Sequence, residues 1–204
     1  TVTNSGNFEL IKKCENKSID IFLPENFFLY YGNLGAVNCT KKLVDLFIHL
    51  EKKMLHKSPN IVFIGDGQFY DDLSDISKNH KNIYVYKSLP KNKIIPIISR
   101  ATACFVPLKP GPIMNTSSPN KFFESLACNV PVIQSTTGWL KNIIEKNNLG
   151  YFFEFGANDK IQDLLISIDL NDPRRLNKHY YKFALKNYDK SILANRMLAF
   201  INRK

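Results

Sequence analysis

The chain has 204 residues, 44% of them hydrophobic, and a formal net charge of +10. That length suits one domain, or one domain with an extension, and the apolar content is ample for a core. No apolar run approaches the roughly 18 residues of a membrane span, no signal-peptide pattern is visible, and no long basic run marks a nucleic-acid tail. The four cysteines have no C-x-x-C spacing and the four histidines do not cluster with them. A zinc site and a disulfide framework are therefore not expected, which fits a reducing cytosol. The basic balance favours anionic partners such as nucleotide diphosphates and anionic lipid headgroups. Thr1 opens the chain, and the first residues read like mid-protein sequence, so a fragment lacking its N-terminal part is expected.

In chain order, residues 1–26 show the weakest pattern and are expected to be a linker from an upstream domain. Phe27–Tyr31 is an aromatic run ended by Gly32, and reads as a buried strand. Lys41–Met54 places Leu43, Leu46, Phe47, Leu50 and Met54 on one helical stripe. Ile61–Ile64 is a second strand, followed by a helix over 68–78. Ile83–Tyr86 is a third strand, and a short helix over 94–101 has Pro96 in its first turn. A fourth strand spans 103–108, a helix 119–128, a strand 130–134, a helix 139–146, a short strand 151–153 and a helix 160–168. The tail from Asp172 is helical, with one apolar stripe through Tyr181, Ala184, Leu185 and Tyr188 and another through Leu193, Met197, Phe200 and Ile201. Strand–helix alternation at this spacing predicts a Rossmann-like α/β domain over 27–170, with a parallel sheet covered on both faces, and C-terminal helices over 171–204. Ligands of such sheets bind beyond the carboxyl ends of the strands, here the loops starting at Gly32, Gly65, Lys87, Lys109 and Ser135.

The most informative stretch is Thr116-Ser117-Ser118-Pro119-Asn120-Lys121-Phe122-Phe123-Glu124. It reads as a loop ending at a serine cap, then a helix with proline in its first turn. Exposed first-turn amides and the helix dipole favour an anion there, and Lys121 adds a full charge. Glu124 follows Lys121 by three residues, so both can share one helix face. The pair suits a ligand carrying phosphate and sugar hydroxyls; it also suits an ordinary cap with a surface ion pair. Gly32-Asn33-Leu34-Gly35 allows tight turning and close backbone approach, yet lacks the third glycine of the dinucleotide fingerprint. Gly65-Asp66-Gly67 is a turn that gains a ligand role only from lying on the same sheet edge. The loop from Lys109 to Asn115 is stiffened by two prolines, with Gly111 as a hinge. Trp139 is expected in the core or an interface. No nucleophile elbow, Walker sequence or Asp-x-Asp pair is present.

In this order the pieces resemble the C-terminal, donor-binding half of a GT-B fold glycosyltransferase. Thr3-Asn4-Ser5-Gly6, Tyr30-Tyr31-Gly32-Asn33-Leu34-Gly35, Val62-Phe63-Ile64-Gly65-Asp66-Gly67 and Ser118-Pro119-Asn120-Lys121 through Glu124 to Pro131-Val132-Ile133 carry the likeness. It is to family four of the retaining enzymes, in the bacterial surface-polysaccharide branch similar to fucosamine transferases. The resemblance implies a donor domain that binds a UDP- or GDP-sugar and, with a missing N-terminal acceptor domain, transfers the sugar to a glycan or lipid-linked acceptor in polysaccharide or lipopolysaccharide synthesis. It implies a cytoplasmic protein, peripheral at the inner membrane face, with no resident cofactor, no metal and no nucleic-acid partner. The fragment alone would be poorly active. Lys121 and Glu124 would be the catalytic pair, with Glu124 on the ribose and Lys121 on the diphosphate. Gly32, Asn33, Gly35, Gly65, Gly67, Lys87, Ser88, Ser117 and Ser118 would line the nucleotide, with Lys87 and Ser88 at the base. Two departures matter: Thr116 stands where many relatives carry a second glutamate, and Asn33 where many carry a diphosphate-binding arginine. Lys121 would supply the missing charge. The rival readings are a GT-B-like nucleotide-sugar epimerase and a basic α/β nucleic-acid-binding module.

Overall fold

The computed structural model describes residues 3–202, apart from the side chain of His56. Over these residues a parallel sheet runs in the order β3-β2-β1-β4-β5-β6. Its strands are β1 (Phe27–Tyr31), β2 (Asn60–Ile64), β3 (Ile83–Tyr86), β4 (Ala103–Val106), β5 (Val132–Gln134) and β6 (Gly150–Phe152). The register runs from Phe27 opposite Asn60 to Tyr31 opposite Ile64, and from Phe28 opposite Ala103 on the other side of β1. Every residue of β1 is buried. A strand covered on both faces needs apolar side chains throughout, hence the unbroken aromatic run.

The helices are α1 (Phe8–Cys14), α2 (Thr40–Met54), α3 (Tyr70–Ser77), α4 (Lys91–Arg100), α5 (Pro112–Asn115), α6 (Asn120–Ala127), α7 (Trp139–Asn147), α8 (Asn158–Ser167), α9 (Pro173–Leu176), α10 (His179–Tyr188) and α11 (Lys190–Ile201). Phe27, Leu29 and Tyr31 face a core shared with α1, α4, α6, α7 and α10. Phe28 and Tyr30 face a second core built with α2, α3 and α8. The strand-to-helix alternation expected from the sequence is present, with shifts of a few residues at element ends.

Four differences from the sequence reading stand out. Helix α1 lies in the weakly patterned opening segment. Asn7 Oδ1 accepts the Leu10 amide at 3.1 Å, an N-cap, and Phe8, Ile11 and Cys14 bury one face of this short helix. Helix α4 begins at Lys91, so Pro96 sits at its sixth residue rather than in its first turn. The amide it lacks would have bonded the Asn92 carbonyl, which lies in an exposed turn open to solvent. The α10 stripe is rotated: Tyr180, Ala184 and Tyr188 are buried while Leu185 is exposed. Along α11 only Leu193 of the expected stripe is buried; Met197, Phe200 and Ile201 are exposed. No described helix is long and apolar enough to cross a membrane.

The C-terminal helices close back on the first part of the chain. Tyr188 meets Phe123 of α6 edge-on at 4.8 Å between ring centroids, and the Gly6 amide donates to the Tyr188 carbonyl at 3.1 Å. Asn129 takes the left-handed φ of 61° that ends α6, and its side chain donates to the Arg175 carbonyl. The Arg175 guanidinium donates to the carbonyls of Ser99 and Ala101, each at 2.7 Å. Charged donors stabilise such carbonyls by about 1.5–3 kcal/mol. Arg175→Met keeps the aliphatic stem and removes the donors, so urea melts of this variant should show a loss in that range. An unchanged midpoint would mean that water satisfies the carbonyls equally well.

Candidate functional site

The strand order reverses between β1 and β4, and it is outside the carboxyl ends of the strands at such a switch point that open parallel sheets bind their ligands. The two glycine motifs build the floor there by packing backbone on backbone. A Cβ on Gly65 would lie 1.8 Å from the Gly32 carbonyl oxygen, and one on Gly67 only 2.6 Å from that of Leu34. The Gly32 amide donates to Ile64 O and the Leu34 amide to Asp66 O. The loops after β1 and β2 are thus one unit. Gly32 itself has a φ of 116°, in the region that favours glycine. Gly35 lies against the Asn33 side chain, whose Oδ1 would be 2.5 Å from an added Cβ. Its smallness accommodates the Asn33 side chain.

Lys121, in the first turn of α6, reaches back across this floor. Its Nζ donates to the Tyr30 hydroxyl at 3.2 Å and to Asn38 Oδ1 at 3.1 Å, and lies 4.4 Å from the centroid of the Tyr30 ring. Among the described residues no carboxylate is in ion-pair contact with it. Burial pushes its pKa from 10.5 down to about 8, against a smaller opposing pull from Glu124. A part-buried ammonium held by neutral oxygens has no charge partner to offset its desolvation. Glu124 is turned elsewhere: its Oε1 pairs with Lys91 Nζ at the start of α4. The lysine and glutamate therefore leave α6 from neighbouring positions toward different partners.

Lys87 and Ser88 sit beyond β3 around Asp66. The Ser88 hydroxyl donates to Asp66 Oδ2, and Lys87 Nζ lies 3.6 Å from Oδ1 and 3.5 Å from the Tyr70 ring centroid. The Ser88 hydrogen bond is the largest cause holding the Asp66 carboxyl below its usual range.

The expected serine cap is absent. Pro119 occupies the N-cap of α6 and no side chain caps that helix. The short helix α5 takes up the preceding loop, so Ser117 stands at its end and donates its hydroxyl back to Met114 O at 2.8 Å. Ser118 is drawn to Asn4, whose amide donates to Ser118 Oγ. The first turn of α6 lacks the side-chain oxygens expected to cap it, and the Phe122 amide donates to the Pro119 carbonyl at 3.1 Å instead. Trp139 donates Nε1–H to Ser117 O and packs on Phe122 and Phe123, an interior role as expected.

The structure thus brings Gly32, Asn33 and Lys121 together, with Gly65 and Gly67 beneath them. Lys87 and Ser88 form a neighbouring cluster, while Ser117 and Ser118 face other loops. Sequence reading missed Tyr30, Asn38, Asp66 and Lys91 as site residues. One signal was available: a tyrosine in a buried strand needs a partner for its hydroxyl. A cleft of about 650 Å³ lies at the opposite edge of the sheet among Asn26, Asn60, Thr102 and Ile168.

The family model for glycosyl transferases group 1 matches residues 12–187. Sucrose-phosphate synthase from Thermosynechococcus elongatus aligns with a TM-score of 0.73 at 17% identity, over 99% of this chain and 51% of its own. Anabaena HepE, solved in complex with UDP-glucose, aligns at 0.65 and 12% identity, over 88% and 49%. The lipopolysaccharide outer core galactosyltransferase WaaB, in its apo form, aligns at 0.62 and 17% identity, over 92% and 53%. The chain spans about half the length of each of these proteins. A search of curated protein sequences finds no match. The sheet order and flanking helices are those of the GT-B glycosyltransferase neighbours. With a match covering most of its length, the chain belongs to the glycosyl transferases group 1 family.

Proposed function

We propose that this chain is the donor-binding part of a retaining glycosyltransferase, taking a UDP- or GDP-sugar at the carboxyl edge of the sheet. The observation that carries this reading is Lys121, a part-buried ammonium with no paired carboxylate, in the first turn of α6, which no side chain caps. An anion with two adjacent charges, such as a diphosphate, suits that spot. Glu124 would take the ribose hydroxyls after exchanging its contact with Lys91, and Lys87, Ser88 and Asp66 would border the base. When the sugar–phosphate bond breaks, charge grows on the leaving diphosphate. Lys121 and the first-turn amides would stabilise it without reorganising, as oxyanion donors do. No Asp-x-Asp metal clamp enters this scheme.

The acceptor, a glycan or lipid-linked intermediate of bacterial polysaccharide or lipopolysaccharide synthesis, would be held by a further N-terminal domain to which residues 1–26 form the link. The +10 charge favours peripheral docking on anionic lipid. These residues alone would bind donor and turn over little sugar. A thermal-shift panel of nucleoside diphosphates and their sugar conjugates tests the reading. Ligand at 100 times its Kd adds about 2.7 kcal/mol to stability, roughly 5–11 °C for a domain of this size. If no nucleoside diphosphate raises the melting temperature at millimolar concentration, the reading fails.

A further inference from the structure

We propose that Tyr30 is a positioning residue of the site: its hydroxyl locks the loop after β1 and the Lys121 ammonium into one preformed diphosphate-binding surface. This rests on the donor-binding reading above. Tyr30 is fully buried in β1, among Phe28, Phe63 and Phe105. Packing there asks only for an aromatic ring, and its neighbours are phenylalanines. The hydroxyl is an added polar group in an apolar setting, tolerated only because it is bonded.

Its bonds are directional. A hydroxyl has one proton, and Tyr30 gives it to the Asn33 carbonyl. Its oxygen then accepts from Lys121 Nζ, which has no acceptor capacity of its own. The chain Lys121 to Tyr30 to Asn33 O therefore admits one proton arrangement. It joins the first turn of α6 to the Gly32–Gly35 loop through a single rigid side chain. An ammonium carries three N–H groups. Tyr30 and Asn38 take two, and the third has no partner among the described residues. Lys121 methylene and ammonium atoms lie 3.5 and 3.6 Å from the Cβ position of Gly32, so the remaining donor sits over the bare backbone of that loop. Tethering of this kind cuts the entropy lost when a ligand orders a long lysine side chain.

Tyr30→Phe keeps the ring and its contact with the cation while removing both hydrogen bonds. Two readings test the proposal on the whole chain. The first follows the Lys121 side-chain resonance by NMR in ligand-free protein as pH rises. Lys121 is faced by Tyr30 from β1, by Asn38 from the turn before α2, and by Glu124 from its own helix, itself paired with Lys91. Tyr30→Phe removes an acceptor from the charged form alone, so the Lys121 midpoint should fall. The second measures affinity for inorganic pyrophosphate, UDP and GDP, which should drop about tenfold in the variant. An unmoved lysine midpoint, or wild-type affinity in Tyr30→Phe, would overturn the proposal. So would a Tyr30→Phe chain that does not fold, since the hydroxyl would then be structural. Wild-type protein that binds none of the three probes sinks the donor-binding reading itself, while the ligand-free titration still reports whether the tether exists.

Discussion

Lys121→Met should lose donor binding while keeping, or improving, the stability of the fold at neutral pH. The lysine lies at the switch point with two neutral oxygens for partners, and burial holds its pKa at about 8 in place of 10.5. Between these values the unfolded chain carries more protons than the folded one. The contribution of Lys121 to stability therefore rises with pH from about 8 to 10.5, and the penalty of its charge is fully present below 8. A lysine displaced this far from its ordinary pKa carries a penalty on the order of 3 kcal/mol. Methionine removes it, against which the Tyr30 and Asn38 oxygens lose a donor at about 1 kcal/mol each. Urea melts at pH 7 and pH 10 should show wild type gaining on the variant as pH rises. Affinity for UDP or GDP should meanwhile fall at least about hundredfold in Lys121→Met, the loss of two charge-assisted contacts. In wild type, affinity should weaken as pH rises through about 8, where the ammonium loses its proton. A Lys121→Met chain that binds donor like its parent would remove the lysine from the site.

Gly65→Ala is the second large effect, and it acts on the fold and the site together. The added methyl would lie 1.8 Å from the Gly32 carbonyl oxygen and 2.9 Å from its carbon, both backbone atoms. Neither can swing away like a side chain, so the loops after β1 and β2 must separate. Overpacking costs typically 1–3 kcal/mol, and a backbone clash of this depth belongs at the upper end. That is a fall of roughly 6–12 °C in melting temperature for a chain of this size. Because Gly32 adjoins Lys121, pyrophosphate affinity should fall with it. A melting temperature within about 2 °C of wild type would show that the strand ends yield more easily than their backbone contact implies.

The fold was legible because its signals are local. Unbroken apolar runs such as Phe27–Tyr31 report burial on both faces, and the α2 stripe reports one face of a helix. The weaker readings failed where a long-range contact outweighed the local pattern. Helix α1 has only one turn or so of apolar residues, and its place in the core comes from packing against α4. The serines before α6 look like caps, yet α5 claims Ser117 and the N-terminal segment claims Ser118. On α11 the apolar residues are spaced for burial, and apart from Leu193 and the half-buried Ile192 they are exposed.

For the site, the type of chemistry was readable and the partnerships were not. A lysine and a glutamate three residues apart look like a pair. Their side chains are long enough to choose among many neighbours, and here they choose Tyr30 with Asn38 and Lys91. Sequence alone determined the parallel α/β class, the loops that gather at one edge of the sheet, and a cation in the first turn of the helix after β4. Hydrophobic period and turn residues are encoded within a dozen positions of one another. Only the tertiary structure decided that this cation is held by a tyrosine 91 positions away, with its charge unpaired. Burial, and the directions in which buried hydrogen-bonding groups find partners, exist only once the strands have assembled.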